Sequence, residues 1–300
     1  VQYWGGETLS FRILLPADDG YQSYAAGRRR ALTFSLKGAG RLRESRLNPV
    51  TVRAGADWIP FTAAGEIAGG SALDLSAMRP TGKPAGRHGR VVRRGAHFEF
   101  ESLPGVPQRF YGANLCGTAN YPETLEDARR LAQNLARIGY NTVRIHHHDS
   151  HCVDRTKPGR TELDEAMMRR MDNLFKACAE EGLYVTTDLF VSRMAAGIAW
   201  RDLGVDRAGS LSMEDYKYTV PVHEGAYSNF LAFARNFLSH VNVHTGVRYA
   251  EDPTLAWISL VNEGNIEKPG ADGYASRPGW QAAWSAWLAQ KRREEPSAYA

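Results

Sequence analysis

Hydrophobic and polar residues follow two different periods along this chain, and the change of period divides it. Up to about residue 77 the apolar positions form short runs, Phe11–Leu15, Ala31–Leu36, Val50–Val52 and Trp58–Phe61, parted by glycine-rich turns. No 3.6-residue spacing is visible there. The stretch therefore reads as short β-strands forming a small β-sandwich-like accessory module over residues 1–77. Gly38–Ala39–Gly40 within it reads as a hairpin turn and not a phosphate loop, because no helical pattern follows. Residues 78–94 are rich in Pro, Gly and Arg and read as a linker. His97–Glu101 and Gln108–Tyr111 then read as two short strands across a turn at Pro104–Gly105.

From residue 112 onward, strand and helix patterns take turns. Glu123 to Ile138 places Leu125, Ala128, Leu131, Leu135 and Ile138 on one helical face, with Gly139 as the C-terminal cap. Asn141 to His146 is a strand. Glu162 to Glu181 is a helix with Met167, Met171, Leu174, Phe175 and Cys178 inward, closed by Gly182. Leu183 to Phe190 is a third strand, followed by a long irregular excursion over 191–225. A third helix covers about Tyr227 to Val243, a fourth strand Leu255 to Val261, and a fourth helix Trp280 to Lys291. Four strand–helix units in succession predict an α/β fold with a parallel sheet. An eight-fold barrel needs four more units, so residues 95–300 are expected to form an open sheet or the N-terminal half of a barrel.

Composition narrows the partners. At 43% hydrophobic and 23% charged residues the chain is an ordinary globular one. Its longest apolar runs are strand-sized, so no membrane partner is expected. The net charge of +4 is concentrated in Arg28–Arg30 and in the segment from Arg79 to Arg94. Those arginines fall in turns and the linker, not interleaved with aromatic residues along a groove, which reads as solvated surface and not as a nucleic-acid site. Cys116, Cys152 and Cys178 lack metal-ligand spacing. Cys178 lies on a core helix face, whereas Cys116 and Cys152 both fall near strand ends, which leaves a disulfide open. The chain begins at Val1 with no apolar leader, so a signal peptide is either missing or already removed.

The chemistry concentrates at strand ends. Leu255–Val261 is an apolar strand that stops on Asn262–Glu263. A carboxylate placed there is expensive to desolvate, a condition under which a carboxyl serves as a general acid. The strand before the second helix ends in Arg144–Ile145–His146–His147–His148. Alternation predicts that Arg144, His146 and His148 share one face, the arginine suited to holding a carboxylate and the histidines to lining a cleft. A rival reading makes His146 and His148 a His-x-His metal pair; the expectation from the whole pattern is that no metal and no other cofactor is held. Asp188 ends the third strand and either binds substrate or caps its loop. In the excursion Trp200 is the candidate for stacking on a sugar ring, with Tyr216 and Tyr218 nearby; Trp284 and Trp287 have helical spacing and read as packing.

Gly112–Leu115, Asn141–Ile145, Tyr249–Leu255 and Val261–Glu263 together resemble family 5-like members of glycoside hydrolase clan A. The resemblance covers roughly residues 73–288, and the His97–Tyr111 hairpin is similar to the element that closes the bottom of those barrels. It implies a (β/α)8 TIM barrel that cleaves β-glycosidic bonds of a polysaccharide or oligosaccharide with retention. It also implies Glu263 as general acid/base, Asn262 holding the 2-hydroxyl and Arg144 supporting the nucleophile. That nucleophile is expected beyond residue 300. Action outside the cytoplasm, extracellular or periplasmic, is implied as well. The sequence departs from the family after the third strand, where Asp188–Leu189–Phe190–Val191 stands in place of a histidine. The alternative reading is a non-catalytic carbohydrate-binding protein on a degenerate or truncated barrel.

Overall fold

The computed structural model describes residues 65–79, 81–264 and 278–299, together with 2–3, 9–10 and 56. The chain divides into two compact units, Val1–Phe61 and Thr62–Ala300. In the first, β1 (Gln2–Tyr3) pairs antiparallel with β2 (Leu9–Ser10). The other strands and the glycine turn expected before residue 61 lie outside the described residues.

The second unit begins earlier than expected, and the predicted linker is not one. Residues 65–79 run along the first helix: Leu75 N–H donates to Arg137 O at 2.7 Å and Ile67 N–H to Asn134 Oδ1 at 2.9 Å. Residues 78–79 and 81–94 are packed as well. Ala85 is buried with its N–H on Ala179 O at 2.8 Å, and Val91–Arg94 is a strand, β3. Gly182 shows how close the approach is. It sits at φ 71°, and a Cβ there would collide with the carbonyl oxygen of Gly82. Proline and glycine composition marks turns, and here the turns are held tightly against the fold.

Strand β3 pairs antiparallel with β4 (His97–Phe100), and β4 with β5 (Leu103–Gln108). The turn falls at Glu101–Ser102, whereas Pro104–Gly105 lie inside β5. Gly105 takes a positive φ of 79° at a register irregularity, which is how a bulge accommodates a Pro–Gly pair. Aromatic side chains of β4, and Phe110 just after β5, pack against aromatic residues of other strands. Phe100 stacks on Tyr184 at 5.1 Å, and Phe98 and Phe110 flank Trp257 at 5.6 and 5.0 Å.

The main sheet is four parallel strands in sequence order: β6 (Gly112–Leu115), β7 (Thr142–Ile145), β8 (Tyr184–Asp188) and β9 (Leu255–Ser259). Among the described residues it is open, not a closed barrel. Between strands run α1 (Leu125–Ile138), α2 (Glu165–Glu181), then α3 (Met213–Thr219) and α4 (Glu224–Ser239); α5 (Trp280–Glu294) follows β9. Helices α1 and α2 start two or three residues later than the periodicity predicts, because Thr124 and Asp164 act as N-caps, accepting from Asp127 and Met167 N–H. Gly139 and Gly182 cap them at φ 100° and 71° as expected. The core packs Ala128, Ala132 and Leu135 of α1 and Met171, Leu174, Phe175 and Cys178 of α2 onto Val143, Ile145 and Val185.

Three boundaries differ for physical reasons. Helix α4 ends at Ser239 because His240 turns back to bond the buried Asp172 carboxylate at 2.9 Å, leaving Val241 and Val243 exposed. Strand β9 stops at Ser259: it pairs only with β8 among the described strands, and Leu260 beyond it is 66% exposed. The excursion after β8 is not irregular throughout but holds α3, entered through a Ser212–Asp215 capping box. No described helix is long and apolar enough to cross a membrane.

Candidate active site

All four parallel strands point their C-terminal ends the same way, and the site residues gather there. Arg144 lies on β7, one residue before its end. Its register partner on β8 is Thr186, so the long side chain reaches forward to Asp188 at the end of β8. Arg144 Nε donates to Asp188 Oδ2 at 3.0 Å and Nη2 to Oδ1 at 2.6 Å. Nη2 also donates to Asn262 Oδ1 at 2.9 Å. His146, just past β7, places Nδ1 at 2.9 Å from Asp188 Oδ2. An ionised carboxylate only accepts, so Nδ1 carries the hydrogen of that bond. Asp188 is wholly buried, and burial by itself would raise its pKa. Hydrogen bonds from Arg144 and His146, with the charge of Arg144, outweigh that and hold the carboxyl below its ordinary value.

Asn262 is fixed at three points. Its N–H donates to Phe190 O at 2.9 Å, its Oδ1 accepts from Arg144, and its carbonyl oxygen accepts from Lys217 Nζ. With Oδ1 turned to Arg144, the amide's Nδ2 is the donor left for an incoming hydroxyl. Glu263 follows in an exposed turn at φ 50°. The left-handed region costs a non-glycine residue ~1–2 kcal/mol, and such outliers gather at functional sites. The desolvation expected for Glu263 is not found, since the residue is exposed.

The structure therefore brings Arg144, His146, Asp188 and Asn262 into one hydrogen-bonded group, with Glu263 next in the chain. Two predicted members do not join. His148 was expected beside Arg144 and His146, but β7 ends at Ile145 and His147 adopts φ 54°, which breaks the alternation. His148 turns inward instead, fully buried 4.8 Å from the Phe237 ring, and neither of its ring nitrogens meets a hydrogen-bond partner. Burial pushes its pKa down, against the opposing charges of Asp149 and Asp188. Trp200 is 1% exposed, packed with Phe190, Ile198 and Leu203 under the Arg207 guanidinium, and offers no face to a sugar. Tyr216 and Tyr218 are buried too. Cys116 is exposed and Cys152 buried, and both are free thiols, so the disulfide left open by the sequence is not formed.

Two residues escaped the sequence reading. His147 packs edge-on against His146 at 4.2 Å between ring centres. Its pKa is lowered by burial and by His146, with Asp149, Asp188 and Glu263 opposing. The three consecutive histidines were the available signal, but period-two alternation assigns the middle one to the wrong face. Lys217 had no signal beyond standing between two tyrosines. Among the described residues no three acidic, histidine or cysteine side chains group as a metal site. A cavity of about 410 Å³ lies nearby, lined by Thr118, Tyr121, Pro122, His151, Met167 and Arg170, and includes none of the predicted site residues.

No known family model and no curated protein matches the chain. Among solved structures it is similar to an endo-1,4-β-mannanase from Rhizomucor miehei, at 19% identity over 58% of this chain and 48% of that one, with a TM-score of 0.45. An endo-β-1,4-mannanase from Thermotoga petrophila is 20% identical over 61% and 40% of the two chains, TM-score 0.39. A glycoside hydrolase family 5 mannosidase from Rhizomucor miehei in complex with mannosyl-fructose is 16% identical over 59% and 48%, TM-score 0.42. The chain spans about half the length of the solved structures it matches.

Proposed function

We propose that the C-terminal strand ends carry one side of the active site of a retaining β-glycosidase, with Glu263 as general acid/base. The observation that carries this reading is the Arg144–Asn262 hydrogen bond, which ties the residue before Glu263 to the charged group at the mouths of β7 and β8. In the reaction Glu263 gives its proton to the departing glycosidic oxygen and then takes one from the attacking water. Asn262 Nδ2 holds a sugar hydroxyl. Arg144 uses its Nε and Nη2 hydrogens on Asp188 and Asn262, leaving Nη1 to face a second carboxylate. Retention needs that carboxylate about 5–5.5 Å from the first. Asp188 does not supply it, being buried and held by three hydrogen bonds; the resemblance to clan A implies a nucleophile on a later strand. The substrate class is a β-linked glycan, met outside the cytoplasm.

The experiment is Glu263→Gln in the full-length protein, assayed on β-mannan, β-glucan and an activated aryl glycoside. Turnover falling by ~100-fold or more on the polysaccharides supports the role; unchanged turnover on all three removes it. The engagement of Asp188 favours a second reading, a carbohydrate-binding protein without catalysis. Saturable glycan binding by a full-length protein that has no turnover to lose would favour that one.

A further inference from the structure

Lys217 is 6% exposed, on the two-turn helix α3 between the buried Tyr216 and Tyr218. Burying an ammonium is costly, and packing alone would be served better by an apolar side chain of the same length. Its Nζ donates to the carbonyl oxygen of Asn262. The position of that oxygen is coupled to the next residue. Rotating the peptide unit between Asn262 and Glu263 swings the Asn262 carbonyl and changes φ of Glu263 together. Such a flip is the simplest way for Glu263 to leave φ 50° for the ordinary negative range. The other two anchors of Asn262, from its N–H to Phe190 O and from Arg144 to its Oδ1, act on the preceding peptide unit and on the side chain, whereas Lys217 acts on this one.

We infer that Lys217 is a positioning residue: it latches the Asn262–Glu263 peptide and so keeps the Glu263 carboxyl in the orientation from which it transfers a proton. The excursion between β8 and α4 thereby contributes a part to the site, through α3. The catalytic half of this inference rests on the reading of Glu263 as general acid/base; the latch itself does not.

The test has two arms. In the full-length enzyme, Lys217→Met is expected to lower kcat/KM about 10- to 100-fold on a polysaccharide, whose leaving group needs a proton. On a dinitrophenyl glycoside, whose leaving group does not, the first step changes by less than ~3-fold. Lys217→Arg, which keeps a donor, restores most of the loss. Equal losses on both substrates, or none, overturn the positioning role, provided that Glu263→Gln measured alongside discriminates between them. If Glu263→Gln does not discriminate either, the reading of Glu263 fails and the latch is judged on the second arm alone. That arm reads thermal midpoints in a double-mutant cycle. Glu263→Gly relieves the left-handed strain only while the latch holds it. The midpoint shift it causes should therefore be about 2–4 °C more positive with Lys217 present than in the Lys217→Met background. Equal shifts in the two backgrounds overturn the latch.

Discussion

Arg144 grips Asp188 side-on, Nε 3.0 Å from Oδ2 and Nη2 2.6 Å from Oδ1, across two neighbouring parallel strands. A fork-to-fork pair of this kind fixes both side chains in direction as well as in distance. The same guanidinium reaches Asn262, so three strand ends share one donor group.

Removing that cation leaves a buried carboxylate. Arg144→Met is expected to cost about 3 kcal/mol at pH 7, the low end for a broken buried pair because the guanidinium is 29% exposed. Asp188 is held below its ordinary 3.8 in the folded state, so its pairing stabilises above about pH 3.8 and that stability is lost as pH falls through the folded value. In the variant the carboxyl takes up a proton at higher pH and the penalty shrinks. Urea midpoints of the two proteins should converge as pH is lowered from 7 toward 4; a constant gap would contradict the pairing.

His148 gives a pH dependence of the same sign in a higher window. Its folded-state pKa lies below the ordinary 6.5, so the unfolded chain takes the proton first. Stability contributed by the neutral ring is complete above about pH 6.5 and falls by up to ~1.4 kcal/mol per unit below it, until the folded form is protonated too. His147 acts with the same sign, so the diagnostic is a difference. His148→Leu should show a shallower decline in unfolding free energy between pH 7 and 5 than the wild type.

The parallel sheet was legible in the sequence because helical faces and glycine caps recur at regular intervals, and Gly139 and Gly182 stand where the pattern puts them. Arg144 falls near a strand end for a similar reason, since β7 stops where its apolar run stops, whereas the apolar run before Asn262 outlasts β9, which ends at Ser259. The failures have a common physical cause. Period-two alternation places His148 correctly only while the chain stays extended, and one left-handed residue, His147, reverses the side that follows. Proline and glycine in residues 78–94 announced turns without saying what the turns pack against. Trp200 reads as a rim aromatic only until Phe190, Ile198, Leu203 and Leu211 are seen to enclose it, contacts made by residues spread through the excursion.

Trp200 offers a direct check of that correction. As a core side chain it should cost about 3–5 kcal/mol when cut to alanine. Trp200→Phe, which keeps most of the apolar volume, should lower stability by less and leave KM for glycans unchanged in the full-length protein. A raised KM with unaltered stability would instead make the ring a sugar contact.

His147 tests whether the strain at the mouth of β7 is real. At φ 54° a histidine is tolerated better than most residues but still pays the left-handed penalty of ~1–2 kcal/mol. Glycine has no Cβ to clash, but it loosens the unfolded chain by about 0.4–1 kcal/mol. His147→Gly is therefore expected to be close to neutral in unfolding free energy although it deletes a half-buried ring packed on His146. A β-branched side chain is the worst fit to this backbone, so His147→Val should cost about 1–2 kcal/mol more than His147→Gly. Chemical denaturation of the two variants decides it. If valine proves as stable as glycine, the turn relaxes freely, and the placement of His146 and His148 on opposite sides of it would need another cause.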